Sequence, residues 1–180
     1  MGLVPTYVAF LRAINLGATR KFPKDAIKAA AEKAGFTDVE TYINTGNVRV
    51  TTRMRSRAKV EQALERAFLE DRGFEVPTIA FTPSEITAIA EEATEFAEDH
   101  EGVHYVSLLK DEPSDELIEQ IEAAGRGEES ARVGGRAVHL LLGPNYHEAR
   151  LSNAAVEKVL GVATNRNLTV IRTLAEKWGG

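Results

Sequence analysis

The chain has 180 residues, no cysteine and a formal net charge of −5. That length suits one domain or two small halves and buries roughly 70% of the unfolded surface, so a core needs neither disulfides nor a metal. The missing cysteines exclude disulfides, zinc–thiolate sites, iron–sulfur clusters and cysteine nucleophiles, and the acidic balance disfavours non-specific binding to nucleic acid.

No apolar run approaches the ~20 residues that cross a bilayer. MGLVPTYVAF carries no cationic stretch ahead of an apolar core, so no signal peptide is expected. The composition predicts a soluble cytoplasmic protein.

Residues 6–14 read as a buried strand that runs into Arg12, Asn15 and Gly17. Residues 23–34 read as a helix with Pro23 at its start, an apolar stripe of Ile27, Ala30, Ala31 and Ala34, and Gly35 at its close. VETYINTGNVRV alternates like a hairpin. A two-residue turn at Thr45-Gly46 would set Asn44 opposite Asn47.

A helix is expected over 57–72, with Val60, Leu64, Ala67 and Phe68 at helical spacing and Gly73 at its end. Residues 75–81 read as a strand. Thr82-Pro83-Ser84-Glu85 then has capping-box spacing ahead of a further helix.

The second half repeats this order. VHYVSLLK is a strand, 114–124 a helix, SARVGGRAVHLLL a hairpin turning at Gly134-Gly135, 152–160 a helix, 162–165 a short strand, and LTVIRTLAEKW the last helix. The fold class is therefore α+β: two ferredoxin-like (split βαβ) units in tandem, pseudo-duplicated, with a C-terminal helix. The units span 1–94 and 102–180, and the acidic stretch EEATEFAEDHEG is read as the solvated junction between them. The first, second and fourth strands of each unit are expected to run the same way, so one end of the first sheet gathers residues 15–21, the 44–47 turn and Thr82. The same end of the second gathers Lys110, Gly134-Gly135 and Thr164–Asn167.

FLRAINLG, GFTDVETYINTGNV and TNRNLTVIRTLAE together resemble the DUF1697 family of bacterial proteins of unknown function. The resemblance runs over essentially the whole chain. It implies a ferredoxin-like α/β duplication and brings no activity, substrate or cofactor. It carries over at Arg12, Asn15 and Gly17, at Gly46 and Asn47, and at Arg166 and Asn167. The chain departs from the family's pattern at Thr164-Asn165, at Leu168 and in YHEARLSN.

Arg12, Asn15, Asn47, Arg166 and Asn167 are the candidate ligand-binding residues. Guanidinium and carboxamide groups recognise carboxylates and phosphates through fixed hydrogen bonds, and Asn167 precedes a helix, whose N-terminus attracts anions. The competing reading makes Asn44, Asn47 and Asn167 turn and cap residues and Arg12 one half of a structural ion pair.

No P-loop, Rossmann fingerprint, GxSxG or HExxH is present, so no catalytic residue and no cofactor is assigned. His147 is the best-placed acid or base, and His139 reads as a packed strand residue. The basic run 49–59 offers Arg49, Arg53, Arg55, Arg57 and Lys59 to RNA, but Tyr42 is the only stacking candidate in that hairpin. The favoured expectation is a small anionic ligand held at a strand end. An RNA-interacting module and a protein-interaction scaffold are the alternatives. No membrane partner is expected, and the sequence does not set an oligomeric state.

Overall fold

The computed structural model describes residues 4–180. The reading of the N-terminus as free of a signal rests partly on residues 1–3, which lie outside the described residues. The chain divides into two compact units, Met1–Pro83 and Ser84–Gly180.

The first unit runs β1 (Thr6–Leu11), α1 (Lys24–Lys33), β2 (Thr37–Thr41), β3 (Asn47–Thr51), α2 (Arg57–Arg72) and β4 (Thr78–Phe81). Its sheet has the order β2-β3-β1-β4. Tyr7, Ala9 and Leu11 alternate onto one face and meet Ile27 and Ala31 of α1 and Leu64 and Phe68 of α2. Phe22 closes this core edge-on against Phe68, with ring centroids 5.2 Å apart. Ser56 caps α2 by accepting from the Lys59 amide, and Gly73 ends it at φ 79°, where a side chain would be strained.

The second unit opens with α3 (Pro83–Phe96) and continues through β5 (Val103–Leu109), α4 (Asp115–Glu122), β6 (Ser130–Gly134), β7 (Ala137–Leu142), α5 (Asn153–Leu160), β8 (Ala163–Asn167) and α6 (Leu168–Trp178). Its sheet repeats the first order, as β6-β7-β5-β8. Val138, Leu140 and Leu109 face Ile121 of α4 and Val156 of α5. His139 lies between Val138 and Leu140 and points the other way, toward Phe96 of α3.

Both units thus have the two-layer, split βαβ architecture expected, each as a four-stranded antiparallel sheet with helices. Several details differ from the sequence reading. α3 groups with the second unit, whereas the sequence reading places 83–94 in the first, and the acidic stretch from Glu91 is helical through Phe96. The first strand ends at Leu11, so Arg12 follows it rather than lying within it.

The first hairpin turns through four residues, not two. The Tyr42 amide donates to the Asn47 carbonyl at 3.1 Å, with Ile43 to Gly46 between them, so Asn44 and Asn47 are not opposite each other. The second hairpin pairs Gly134 with Ala137, which moves its turn one residue on to Gly135-Arg136. Gly135 has φ 54°, as the first position of a type II′ turn requires.

The fourth strand is the main correction. β4 runs antiparallel to β1, and β8 antiparallel to β5. Each helix returns the chain to the end it left, and only the hairpin reverses it, so the first and second strands share one direction and the third and fourth the other. The end of each sheet that carries the first loop and the hairpin turn therefore receives the start of the fourth strand. The Arg12 amide donates to the Pro77 carbonyl, and the Lys110 amide to that of Val162. Thr82 lies at the opposite end of the first sheet. Asn167 pairs with Tyr105, away from Gly134-Gly135.

Carboxylates accept from the β4 edge of the first sheet and from both edge strands of the second. β4 is an outer strand, and its outward amides at Thr78 and Ala80 donate to Glu65 Oε2 at 3.0 Å and Glu61 Oε2 at 2.8 Å. Glu61 and Glu65 are one helical turn apart on α2, which matches the two-residue repeat of outward amides along the strand. In the second unit Glu157 accepts from Ala163 of β8, and Glu122 from Val133 of β6.

Candidate functional site

The candidate residues fall in both units: Arg12, Asn15 and Asn47 in the first, Arg166 and Asn167 in the second. They do not play equivalent parts.

Asn15 organises the loop after β1. Its Oδ1 accepts from the Phe22 amide at 2.7 Å, and its Nδ2 donates to the carbonyls of Phe22 at 2.9 Å and Asn44 at 2.7 Å. The last bond crosses to the hairpin loop. Asn44 answers by accepting from the Lys24 amide at the start of α1. A short polar side chain that tolerates a positive φ suits this position, and Asn15 has φ 54°.

Asn47 is fully buried. Its Nδ2 donates to the Tyr42 carbonyl at 3.0 Å and to Thr45 Oγ1 at 2.8 Å, which closes the hairpin loop. Gly46 follows from packing. At φ 86°, a Cβ would stand 2.8 Å from Leu11 Cβ and 3.2 Å from the Leu11 carbonyl oxygen.

Arg12 is half-buried at the mouth of this assembly. Around it the backbone is unusual. Ala13, Asn15 and Arg20 in the first loop and Ile43 in the hairpin loop are four of the five described non-glycine residues with positive φ. Arg20 fastens the first loop. It donates through Nε to the Ala13 carbonyl and through Nη2 to that of Glu75 at 2.7 Å, and its guanidinium lies 4.7 Å from the Phe74 ring centre. Leu16 and Ile43 are exposed large apolar side chains on the two loops that Asn15 joins.

In the second unit Arg166 is buried in β8. Its Nη1 donates to Thr164 Oγ1 at 2.9 Å and to the Asn165 carbonyl at 2.8 Å. Burial lowers its pKa to about 10, which leaves it cationic at neutral pH. Asn167 caps α6, accepting from the Val170 amide at 2.9 Å.

A cluster the sequence reading did not assemble lies between α3 and the second sheet. His104 Nε2 and His139 Nδ1 are 3.1 Å apart in the interior, and Glu92 Oε2 stands 3.6 Å from His139 Nε2. His147, the best-placed acid or base from sequence, sits in the 3-10 turn Tyr146–Glu148 with its ring centre 4.0 Å from that of Tyr146.

Among the described residues no group of three or more His, Cys, Asp or Glu side chains is arranged to hold a metal ion. No described helix is long and apolar enough to cross a membrane.

No curated protein matches the chain. Among solved structures it is similar to the conserved bacterial protein SP0830 from Streptococcus pneumoniae, at 18% identity and a TM-score of 0.73, covering 97% of this chain and 98% of that one. That likeness shows the fold. Residues 4–139 match the family model described as "Protein of unknown function (DUF1697)"; they take in Arg12, Asn15 and Asn47 and stop within β7, short of Arg166 and Asn167. The chain belongs to the DUF1697 family.

Proposed function

We propose that the first unit binds a small anionic ligand at the end of β1, with Arg12 as the charged contact. One observation carries the reading: the concentration of left-handed, non-glycine backbone in the two loops beside Arg12. Such conformations cost on the order of 1 kcal/mol or more each and persist where the surroundings hold them, commonly at ligand sites. Here Asn15, Asn47 and Arg20 hold them, through the backbone contacts described above. The asparagines then serve as the frame and Arg12 as the recognition element. Exposed Leu16 and Ile43 offer apolar surface to the rest of the ligand. This reading does not draw on Arg166 and Asn167 of the second unit, where Arg166 bonds Thr164 and Asn165 within β8 and Asn167 caps α6.

The RNA reading is weakened by pairing within the basic run. Arg49 contacts Glu40 at 3.1 Å, and Arg57 contacts Glu61 at 3.0 Å.

The experiment is a thermal-shift screen against phosphates, nucleotides, carboxylates and short RNA, on the wild type and on Arg12→Ala. A ligand of the folded state raises the midpoint by mass action. One anionic class is expected to raise it, and Arg12→Ala to lose that shift while keeping its own midpoint. No shift with any compound, or an early-melting variant, overturns the reading.

A further inference from the structure

We propose that Glu92, His139 and His104 form an acid-sensitive latch that fastens α3 to the second sheet.

His139 of β7 is fully buried, and His104 of β5 is 7% exposed. The rings meet edge to face at 5.3 Å, and Phe96 of α3 covers His139 edge-on at 5.1 Å. The Glu92 carboxylate arrives from α3 over Gly134. A Cβ there would stand 1.9 Å from Glu92 Oε2, so the missing side chain of β6 makes room for the acid. His104 Nδ1, His139 Nε2 and Glu92 Oε2 are buried atoms with no hydrogen-bond partner.

The 3.1 Å contact between His104 Nε2 and His139 Nδ1 accommodates one proton. The arrangement that suits an ionised Glu92 places a hydrogen on Nε2 of both rings. His104 then donates to His139, and His139 turns its N–H toward Glu92. That leaves His104 Nδ1 as a bare lone pair. A proton taken up there finds no protein acceptor, and a second proton, on His139, would set two charged rings against each other in the interior.

The surroundings act in the same sense. Burial first, then His100 and Arg172, lower the pKa of His104 to about 4. Burial first, then His104, lowers that of His139 to about 3. The 3.6 Å contact with Glu92 is therefore made by a neutral imidazole at neutral pH. The charged groups around the pair are Glu92 and Glu95 on α3, His100 before β5, Arg172 on α6, Arg132, the cross-strand partner of His139 on β6, and buried Arg166 on β8, which shares their face of the sheet through Val106.

The sign follows from proton linkage. A released histidine titrates near 6.5 and a latched one well below it, so the released state binds more protons between about 6.5 and 4. The latch is complete above that window and weakens as pH falls through it. Glu92 works the other way over its own range, since burial, then Glu95, raises its pKa. That is one group against two.

The test is hydrogen exchange by NMR on the intact chain from pH 7.5 to 4.5, with imidazole nitrogen shifts recorded on the same samples. Both rings are expected to stay neutral to below pH 5. Protection of the α3 amides, corrected for intrinsic exchange, is expected to fall by about tenfold per pH unit for each proton taken up. The double variant His104→Leu, His139→Leu is expected to lose that slope. A ring that protonates near pH 6.5, a flat protection profile in the wild type, or a double variant that keeps the slope overturns the proposal. If the double variant does not fold, the wild-type ring titration and protection profile decide alone.

Discussion

The side-chain amide of Asn15 donates to the backbone carbonyl of Asn44 at 2.7 Å, and that bond joins the loop after β1 to the loop between β2 and β3. Two segments that approach from different directions are held as one surface beside Arg12. Asn15→Ala removes three side-chain hydrogen bonds and places alanine at φ 54°. A loss of roughly 1–3 kcal/mol is expected by urea unfolding. Asn15→Gly keeps the backbone conformation, so comparing the two variants separates strain from lost bonding. Equal stability of Asn15→Ala and wild type would show that the bridge holds nothing.

Gly46→Ala tests the close approach of the hairpin loop to β1. The new methyl meets Leu11 Cβ and the Leu11 carbonyl, both fixed by the strand. Overpacking and a positive φ together are expected to cost more than about 2 kcal/mol. Thermal melting reads this directly, and a midpoint indistinguishable from wild type would contradict so close an approach.

Glu61 and Glu65 close the outer edge of the first sheet. Replacing both by alanine leaves the Thr78 and Ala80 amides without their carboxylates, at about 1–3 kcal/mol for each buried donor. It also exposes a strand edge that another chain can pair with. Lower stability and new association in light scattering are expected together. A variant that stays monodisperse would mean that other features protect this edge.

The pH dependence of the second unit is the counterpart. Two buried neutral histidines predict that stability falls as pH drops from about 6.5 toward 4. Unfolding midpoints that do not change over that range would contradict it.

The helices are well marked in the sequence. α2 spans the expected 57–72 and ends at Gly73, and α6 begins after Asn167, because helical spacing and capping are local properties. The strand pattern yields the element order for the same reason. The direction of β4 follows from that same order, since a helical crossover keeps the strand direction and only the hairpin reverses it; the expectation of a fourth strand running with the first misapplied this rule. The length of the hairpin loop escapes a reading of the sequence because Ile43 takes a left-handed conformation that its side chain disfavours. Asn15 and Asn47 are recognisable as special, and for Asn47 turn chemistry is the competing explanation from the start. The histidine cluster is hidden by distance. His104 and His139 are 35 residues apart and become neighbours only through the register of β5 on β7, while Glu92 sits in a run that reads as solvated.

The single residue Thr82 separates β4 from α3, whereas six residues, 97–102, separate α3 from β5. The longer connection looks like the natural place to cut the molecule, yet a nick there does not divide it at the boundary between units. It leaves α3 joined covalently to the first unit while its partners Arg136, His139 and Arg172 stay on the second. The two pieces would be complementary fragments sharing a helix, and reassembly of such a pair would report on the hold of α3 without altering any side chain.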